Sequence, residues 1–431
     1  MRTIVWNDIS EAQRRQVLER PPPGGETNLR ESVAAIIREV KARGDDAVRD
    51  FARTFDRFEA ADFRVPISEI AAAPDQIDAR LRGAIERAIS NLTAFHEVQI
   101  PRDIRVETIP GVICELHWRP LESVGFYVPG GTAPLFSSLL MQAIPARMAG
   151  CPERILCTPP QRNGKVHPAI LAAARLVGIE NVFAVGGAQA IAAMAYGTVT
   201  IPKVDKISGP GNAFVSLAKQ LVAHDPAGAA IDLPAGPSEV MVVADISARP
   251  DWVAADLLAQ AEHGVDSQAL LVATSAAFAI SVQGEIRSQI ACLPRRGIVE
   301  ASLESGCIVI VPDMETAIAV VNRYAPEHLV LHDDDATRWL PKIRHAGAIF
   351  VGSHSPETAG DYASGANHVL PTSGFARVHG GLTVFSFLKS MTVQKVSAEG
   401  LRRLGPTLVA MAQAEGLQAH ANAVSIRLEA A

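Results

Sequence analysis

From residue 119 to residue 351 the chain alternates short apolar runs with segments of helical periodicity, and this alternation constrains the fold most. Runs such as Ser123–Tyr127 and Gln268–Ala273 are typical of fully buried strands, whereas Pro134–Met148 has the length and spacing of a helix. Parallel strands need crossover helices, because the chain must return to the same end of the sheet before each new strand. The pattern therefore predicts an α/β fold with parallel sheets.

The alternation divides into two blocks of similar length and order. In the first block we predict strands at Ser123–Tyr127, Arg154–Cys157, Asn181–Val185 and Lys206–Ser208, and helices at Pro134–Met148, His167–Val177 and Asn212–His224. In the second block, which begins near Asp232, we predict strands at Val240–Val243, Gln268–Ala273, Cys307–Val311, Leu329–His332 and Gly347–Val351. Its helices are predicted at Trp252–His263, Ala276–Cys292, Glu315–Tyr324 and Thr337–His345. The similar order suggests two related α/β units.

The regions that flank the two blocks have a different pattern. Residues 1 to about 100 are predicted to be mostly helical, and Pro110-Gly111 predicts the turn of a β-hairpin over residues 104–118. The tail from Gly380 has little apolar surface of its own, so we expect it to pack against another body, either the same chain or a second copy. The predicted domains are 1–118, 119–236, 237–379 and 380–431.

Charge and composition make two classes of partner improbable. A net charge of −6 over 431 residues gives no reason to expect nucleic acid or a membrane surface as partner. Two long uncharged stretches, 123–146 and 181–202, are interrupted by Gly and Pro, so neither predicts a membrane span. The five cysteines form no CxxC pair and several lie in apolar runs. Reduced, buried thiols and a cytoplasmic protein are therefore expected.

One helix end offers two candidate metal ligands. Gln260 and His263 lie three residues apart in the last turn of the predicted helix, so their side chains share one face. That turn carries the negative end of the helix dipole, which favours a cation, and an amide oxygen and an imidazole could be two ligands of a divalent metal. A surface turn that merely meets water is the alternative. Because a pair alone does not make a metal site, other ligands are required.

Adjacent Glu327 and His328 are the candidate acid–base pair. Pro326 precedes them at the entrance to a predicted strand, where both side chains could reach one pocket. Histidine is suited to take a proton near neutral pH, and glutamate can activate water or orient a partner. A polar strand end without catalytic function is the alternative.

Two other segments offer further metal ligands. Asp361 and His368 lie in the Gly-rich segment 359–368, which is predicted to be a loop. Glu415 and His420 lie in the tail. Either segment could supply a carboxylate or an imidazole to the same ion. The alternatives are a turn-forming aspartate and a solvated histidine.

Three Gly-rich turns follow predicted strands of the first block: Tyr127–Gly131, Val185–Gln189 and Gly209–Phe214. Turns after parallel strands lie along the carboxyl edge of the sheet, where a close backbone approach suits the phosphates of a dinucleotide. The usual fingerprint is incomplete, since Phe214 stands where its third glycine is expected. A nucleotide site and ordinary tight turns both remain open on these residues alone.

Taken together and in this order, the motifs resemble the L-histidinol dehydrogenase family. The resemblance runs from the N-terminal helices to the tail and is densest in residues 126–131, 133–138, 208–214, 234–239, 260–264, 326–329 and 360–365. The family consists of zinc- and NAD-dependent enzymes of the last two steps of histidine biosynthesis. The resemblance thus implies a four-electron oxidation of L-histidinol, through L-histidinaldehyde, to L-histidine.

The resemblance also implies roles for individual side chains. The implied zinc ligands, for one ion per subunit, are Gln260, His263, Asp361 and His420. The implied acid–base pair is Glu327 and His328, and the implied NAD contacts are Tyr127, Gln189 and Asn212. The implied histidinol contacts are Ser238, Gln260, His263, His328, Asp361, Glu415 and His420.

The fold and assembly that the resemblance implies are equally specific. They comprise two incomplete Rossmann-like parallel-sheet domains, a helical N-terminal region and an extended helical C-terminal tail. The tail is expected to be swapped within an intertwined homodimer, so that Glu415 and His420 complete the site of the other copy. One alternative is a related zinc- and NAD-dependent dehydrogenase of another polar alcohol. A zinc hydrolase that uses Glu327 to activate water is a second.

Overall fold

Fourteen strands and sixteen α-helices make up the computed structural model, which describes residues 1–20, 26–57, 62–130, 134–233 and 236–429. The strands are β1 (Arg2–Val5), β2 (Ile104–Ile109), β3 (Val112–Pro120), β4 (Ser123–Tyr127), β5 (Glu153–Thr158), β6 (Asn181–Ala184), β7 (Lys206–Ser208), β8 (Ala230–Ile231), β9 (Glu239–Ala244), β10 (Gln268–Ala273), β11 (Cys307–Ile310), β12 (His328–His332), β13 (Ala348–Val351) and β14 (Leu388–Val396). The helices are α1 (Glu11–Val17), α2 (Glu26–Arg43), α3 (Asp45–Phe51), α4 (Ile67–Ala72), α5 (Ala79–Glu97), α6 (Phe136–Ala149), α7 (Pro168–Val177), α8 (Gly187–Tyr196), α9 (Ala213–Ala223), α10 (Pro250–Ala261), α11 (Ala276–Ile290), α12 (Arg296–Ser305), α13 (Met314–Tyr324), α14 (Glu357–Tyr362), α15 (Ala398–Ala414) and α16 (Gln418–Glu429).

The first parallel sheet has the strand order β6-β5-β4-β7-β8. All five residues of β4 are buried, as the continuous apolar run at this position predicts. Helices α5, α6 and α7 cover one face of the sheet, and α2, α8 and α9 cover the other. Two apolar cores, one on each face, therefore fix the strand ends from which the Gly-rich turns leave.

The second parallel sheet has the order β1-β11-β10-β9-β12-β13. Helices α10, α11 and α12 cover one face, and α13 with the N-terminal Trp6 covers the other. If strands are counted in chain order within each unit, both sheets share the order 3-2-1-4-5, with β1 added beside β11. The α/β class with two parallel-sheet units is confirmed, and the common order agrees with two related units.

The two ends of the chain join sheets that lie far away in sequence. Strand β1 pairs with β11, although its four residues carry too little pattern for the sequence to predict a strand. The predicted hairpin is present as β2 and β3, and β14 of the tail pairs antiparallel with β3. Helices α15 and α16 follow β14 and are largely exposed. The domain boundaries at 118, 236 and 379 stay a proposal, since β1 and β14 pair with strands on the other side of these boundaries.

Three predicted elements differ in detail. Residues 359–368, predicted as a loop, begin within the short helix α14, so Asp361 is a helical residue. Residues 337–345 contain a 3₁₀-helix, Ala336–Lys342, rather than an α-helix, because Pro341 cannot continue an α-helical hydrogen-bond ladder. Helix α10 ends at Ala261, so His263 lies just beyond the C-cap of the helix. The backbone N–H of His263 donates to the Gln260 carbonyl at 3.1 Å.

All five cysteines are free thiols. Cys151, Cys157 and Cys307 are buried, and burial raises the pKa of each of these thiols. Cys292 is exposed, so the expectation of buried thiols holds only for part of the set. None of the helices in the described part of the chain combines the length and apolar content needed to cross a membrane.

Candidate metal centre and active site

Three side chains that could share one cation lie together beside the second sheet. One ligand atom each of His263, Glu357 and Asp361 lies within 4.8 Å of the other two. His263 Nε2 is 3.8 Å from Asp361 Oδ2. Glu357 and Asp361 are four residues apart on α14, so their side chains share one face. The cluster combines one imidazole with two carboxylates, a donor set that binds divalent metals.

Gln260 enters this cluster through a hydrogen bond to Glu357. The amide orientation that satisfies its neighbours has Nε2 donating to Glu357 Oε1 at 2.9 Å and to the Glu239 carbonyl at 3.2 Å. In this orientation Oε1 does not face these acceptors, and the amide oxygen is the atom of this side chain that can bind a metal. The structure therefore brings Gln260, His263 and Asp361 to one place. Glu357 was not among the residues that the sequence pattern predicted as ligands, although it lies four residues before Asp361 and could have been found by that spacing.

A divalent cation fits the chemistry of this cluster. Glu357 Oε2 is buried and has no hydrogen-bond partner. Burial also raises the pKa of the Glu357 carboxyl well above its usual value. A buried carboxylate oxygen without a partner is costly, and a cation held by the neighbouring side chains would lower that cost. The imidazole of His263 favours zinc over magnesium or calcium, which prefer sites made wholly of oxygen ligands.

The candidate acid–base pair is held by the backbone of a single residue, Glu239. The Glu239 N–H donates to Glu327 Oε2 at 2.8 Å. The Glu239 carbonyl lies 3.0 Å from His328 Nδ1. Because a carbonyl can only accept, Nδ1 carries the ring hydrogen when the imidazole is neutral, and Nε2 keeps its lone pair. The hydrogen bond thus selects the tautomer in which Nε2 is the base.

Burial shifts the two members of the pair in opposite directions. His328 is 3% exposed, and desolvation of its cationic form lowers its pKa to about 4. Desolvation raises the pKa of Glu327 well above its usual value, against the Glu239 N–H, which lowers it. His328 is therefore neutral near pH 7 and can accept a proton. The raised pKa of Glu327 makes its carboxylate a stronger base than an exposed glutamate.

The metal cluster and the pair both lie at the amino edge of the second sheet. Glu239 is the first residue of β9 and His328 the first of β12. Helix α10 follows β9 and returns its C-terminus to this edge, which brings Gln260 and His263 to the same place. Ligands of open α/β sheets more often bind at the carboxyl edge. The position here follows from the end of α10 rather than from a loop after a strand.

The three predicted NAD contacts lie at the carboxyl edge of the first sheet. Tyr127 ends β4, and its hydroxyl oxygen accepts from the Gly187 N–H at 3.0 Å. Gln189 lies in the first turn of α8, and Asn212 caps α9 by accepting from the Val215 N–H at 3.1 Å. Two helix N-termini, of α8 and α9, therefore begin where a pyrophosphate would be favoured. Gly131, which the sequence analysis also named, lies outside the described residues.

Gly209 is required by a close backbone approach at this edge. Its φ is +127°, and an added Cβ atom would lie 2.0 Å from the Tyr127 carbonyl oxygen. We expect Gly209→Ala to lower the free energy of unfolding by about 2–4 kcal/mol and to weaken NAD binding by more than about tenfold, because the turn must move.

Urea unfolding and an NAD titration measure both effects. The matched control is Gly178→Ala, since Gly178 also has a positive φ, of 79°, but an added Cβ would meet nothing within 4 Å. Its expected cost is about 1 kcal/mol with unchanged NAD affinity. Equal costs at the two positions would show that the Tyr127 carbonyl does not restrict this turn.

Polar contacts join the metal cluster to the first unit. His368 Nε2 lies 3.1 Å from Ser138 Oγ at the start of α6, and His368 Nδ1 lies 2.7 Å from the Asp361 carbonyl. Asn367 Nδ2 donates to the Met141 carbonyl at 2.6 Å. Both ring nitrogens of His368 are thus engaged elsewhere. His368, one of the ligands that the sequence left open, is held between the units and is not in the cluster.

The remaining predicted site residues are Ser238, Glu415 and His420, none of which is a member of the cluster of His263, Glu357 and Asp361. Ser238 immediately precedes Glu239, and its carbonyl accepts from the Gln268 N–H at 2.9 Å. Glu415 is the C-cap residue of α15 and His420 lies in the first turn of α16, and both are exposed. Among the described residues, the one grouping of at least three metal-binding side chains does not include His420.

Comparison with known proteins gives a consistent result over the whole chain. A family model described as histidinol dehydrogenase matches residues 21–428. The histidinol dehydrogenase of Vibrio parahaemolyticus is 49% identical over 429 residues, covering 100% of this chain and 99% of its own. That of Xylella fastidiosa is 48% identical, covering 100% of both chains. The crystal structure of histidinol dehydrogenase from Elizabethkingia anophelis matches with a TM-score of 0.96 and 43% identity, covering 100% of this chain and 98% of the other.

Proposed function

The chain belongs to the histidinol dehydrogenase family, and from this premise we propose how its own side chains carry out the reaction. The protein is an oxidoreductase of histidine biosynthesis. The proposed overall reaction converts L-histidinol, two NAD and water into L-histidine, two NADH and protons. One observation carries the proposal. The backbone of Glu239 holds Glu327, His328 and Gln260 together beside His263 and Asp361.

In the proposed metal centre, Gln260, His263 and Asp361 hold the zinc ion, with His420 of a second copy as the fourth ligand. Glu357 orients Gln260, since the hydrogen bond from Nε2 leaves Oε1 as the ligand atom. When bound, zinc would hold histidinol through its amino and imidazole nitrogens, and NAD would accept the hydride in each half-reaction. Tyr127, Gln189 and Asn212 are proposed to hold NAD. Ser238, and Glu415 of the second copy, are proposed to contact histidinol.

In the first half-reaction, His328 acts as the general base. Its Nε2 takes the proton of the histidinol hydroxyl, which allows the carbon to give up a hydride and form the aldehyde. The Glu239 carbonyl keeps Nδ1 as the donor throughout, so the imidazole does not lose its orientation. Because burial lowers the pKa of His328 to about 4, its Nε2 carries no proton before each turnover near neutral pH.

In the second half-reaction, Glu327 acts on water. Its carboxylate takes a proton from a water molecule, whose oxygen adds to the aldehyde carbon while the carbonyl oxygen of the aldehyde takes up a proton, which gives the hydrate. The hydrate then gives a second hydride to the second NAD and releases two protons, which yields the carboxylate of histidine. A thiol nucleophile is not needed, in agreement with the burial that raises the pKa of Cys151 to about 11 and leaves Cys157 fully buried.

The exposed tail supports the proposed homodimer. Met411, Leu417 and Ile426 on and between α15 and α16 are 60%, 42% and 64% exposed, respectively. Such a group of apolar side chains on two neighbouring helices favours burial against another surface. A second copy would bury them and could bring Glu415 and His420 to its neighbour's site. We further propose a cytoplasmic location, which the five free thiols support.

Counting NADH tests the proposed function. We expect two NADH for each L-histidinol consumed, with no free aldehyde accumulating, and loss of activity after chelation that zinc restores. Histidinol and a second polar alcohol such as an amino alcohol without an imidazole are compared under the same conditions. One NADH per substrate, or faster turnover of the second alcohol, would contradict the proposal.

A further inference from the structure

We infer that Arg20 is a positioning residue for catalysis, which fixes the acid–base pair by clamping two segments of the second unit to each other. The segments are the start of β9 at Glu239 and the end of α13 at Tyr324 and Ala325. We call this arrangement the Arg20 clamp. Arg20 itself lies outside the metal cluster and contacts neither Glu327 nor His328 through a hydrogen bond.

The first side of the Arg20 clamp is a two-pronged ion pair with Glu239. Arg20 Nε donates to Glu239 Oε1 at 2.5 Å, and Nη2 donates to Oε2 at 2.8 Å. The Ser373 N–H donates to the same Oε1 at 2.8 Å. Glu239 is 2% exposed, so its carboxylate depends on these donors in place of water. The side chain of Glu239 is therefore held from two directions.

The second side of the clamp is the turn that leads into the acid–base pair. Arg20 Nη2 also donates to the carbonyls of Tyr324 and Ala325, at 3.1 Å and 3.4 Å. The guanidinium lies 4.0 Å above the centre of the Tyr324 ring. Ala325 has a φ of +56°, an uncommon conformation for a residue with a Cβ, and it lies two residues before Glu327. Arg20 thus contacts the turn at the point where its backbone is strained.

The two sides of the Arg20 clamp hold residues that are hydrogen-bonded to each other, Glu239 on one side and the acid–base pair on the other. The backbone of Glu239 donates to Glu327 and accepts from His328. The turn at Ala325 leads directly into Glu327 and His328, so it sets the position of their backbone. A shift between the two segments would move the pair relative to the bound substrate without removing any catalytic group. Displacements of about 1 Å can slow an enzyme by about 100-fold.

Other contacts between the N-terminal segment and the second unit provide a comparison. Arg323 Nη2 lies 2.7 Å from Glu11 Oε1, so this pair also ties α1 to α13. It touches neither Glu239 nor the carbonyls that Arg20 binds. Arg323→Ala therefore serves as a matched control, because it loosens the N-terminal segment and leaves the clamp in place.

The inference rests on the proposed roles of Glu327 and His328. The experiment distinguishes a failure of the inference from a failure of those proposed roles. Steady-state turnover is measured for wild type, Arg20→Ala, Arg20→Lys, Arg323→Ala, His328→Asn and the Arg20→Ala/His328→Asn double variant. We expect Arg20→Ala to lower kcat by about 10- to 100-fold with KM for histidinol within about threefold. Arg20→Lys restores part of kcat, and Arg323→Ala stays within about twofold of wild type. In the His328→Asn background, Arg20→Ala costs less than about twofold, since the first half-reaction, which has already lost its base, then limits turnover.

Three kinetic results would overturn the inference. They are a kcat loss in Arg20→Ala no larger than in Arg323→Ala, a rise in KM with unchanged kcat, and losses that multiply in the double variant. Because Arg20→Ala leaves a buried carboxylate without its partner, the Arg20→Met/Glu239→Gln double variant removes both charges and keeps their volume. It is expected to fold and to show the same kcat loss, whereas insolubility of both would make the clamp a folding element only. If His328→Asn kept wild-type turnover, the proposed function would fail first, independently of Arg20.

Discussion

Replacing Glu327 with Gln is expected to slow the oxidation of histidinaldehyde by about 10²- to 10⁴-fold, while histidinol oxidation to the aldehyde falls by less than about tenfold. Glutamine keeps the size of the side chain and an oxygen that can accept from the Glu239 N–H. It cannot take a proton from water. The hydration step should therefore lose its base, whereas the first half-reaction retains His328.

Single-turnover NADH formation, started from histidinol or from histidinaldehyde, separates the two half-reactions. His328→Asn is the matched variant, because it removes the other base at the same strand end and should slow histidinol oxidation more than aldehyde oxidation. Starting from histidinol, Glu327→Gln should form the first NADH rapidly and the second NADH slowly. If both variants slow both half-reactions equally, the division of roles between Glu327 and His328 is wrong.

Asp361→Asn is expected to weaken zinc binding by more than about 100-fold and to abolish turnover at ordinary zinc concentrations. Asp361 Oδ2 lies 3.8 Å from His263 Nε2, and the neutral amide of the variant is a much poorer metal ligand than a carboxylate. Loss of its charge also leaves His263 and Glu357 without the third member of the cluster. Zinc content after dialysis, measured by elemental analysis together with activity, reports both losses.

Glu262→Gln controls for removal of a negative charge near the metal. Glu262 is next to His263 and caps α10, but it is not a member of the cluster. Its variant should keep full zinc and at least half of the activity. Zinc retained by Asp361→Asn, or lost equally by Glu262→Gln, would remove Asp361 from the ligand set.

The sequence was sufficient to predict nine of the eleven strands of the two parallel sheets, and local patterns explain this success. Continuous apolar runs such as Gln268–Ala273 are short and alternate with helical segments, so their pattern favours strands that are buried on both faces. Helices between them are marked by spacing and by Gly at their ends, as at Gly150 and Gly178. By contrast, β1 became a strand only because β11, whose Cys307 pairs with Arg2, offers it an edge.

The candidate site was predictable only in part, for a similar reason. Glu327 and His328 stand next to each other, and Gln260 and His263 share a helix end, so local patterns point to them. The residues that hold them do not follow from local pattern. Arg20 and Glu239 are 219 residues apart, and Glu239 acts on the pair through its backbone, for which no residue type is diagnostic. The supporting contacts of this site therefore had to come from the structure.

Subunit mixing tests the central claim most directly, namely that one metal centre combines Gln260, His263 and Asp361 with His420 of a second copy. Asp361→Asn and His420→Asn are each expected to lack zinc and activity as pure proteins. After equal amounts are dissociated and reassembled, half of the dimers contain one of each, and each mixed dimer has one intact site. We predict recovery of about one quarter of wild-type activity, with zinc rising in proportion. Full zinc in pure His420→Asn, or no recovery from a mixture shown to contain mixed dimers, would contradict the account.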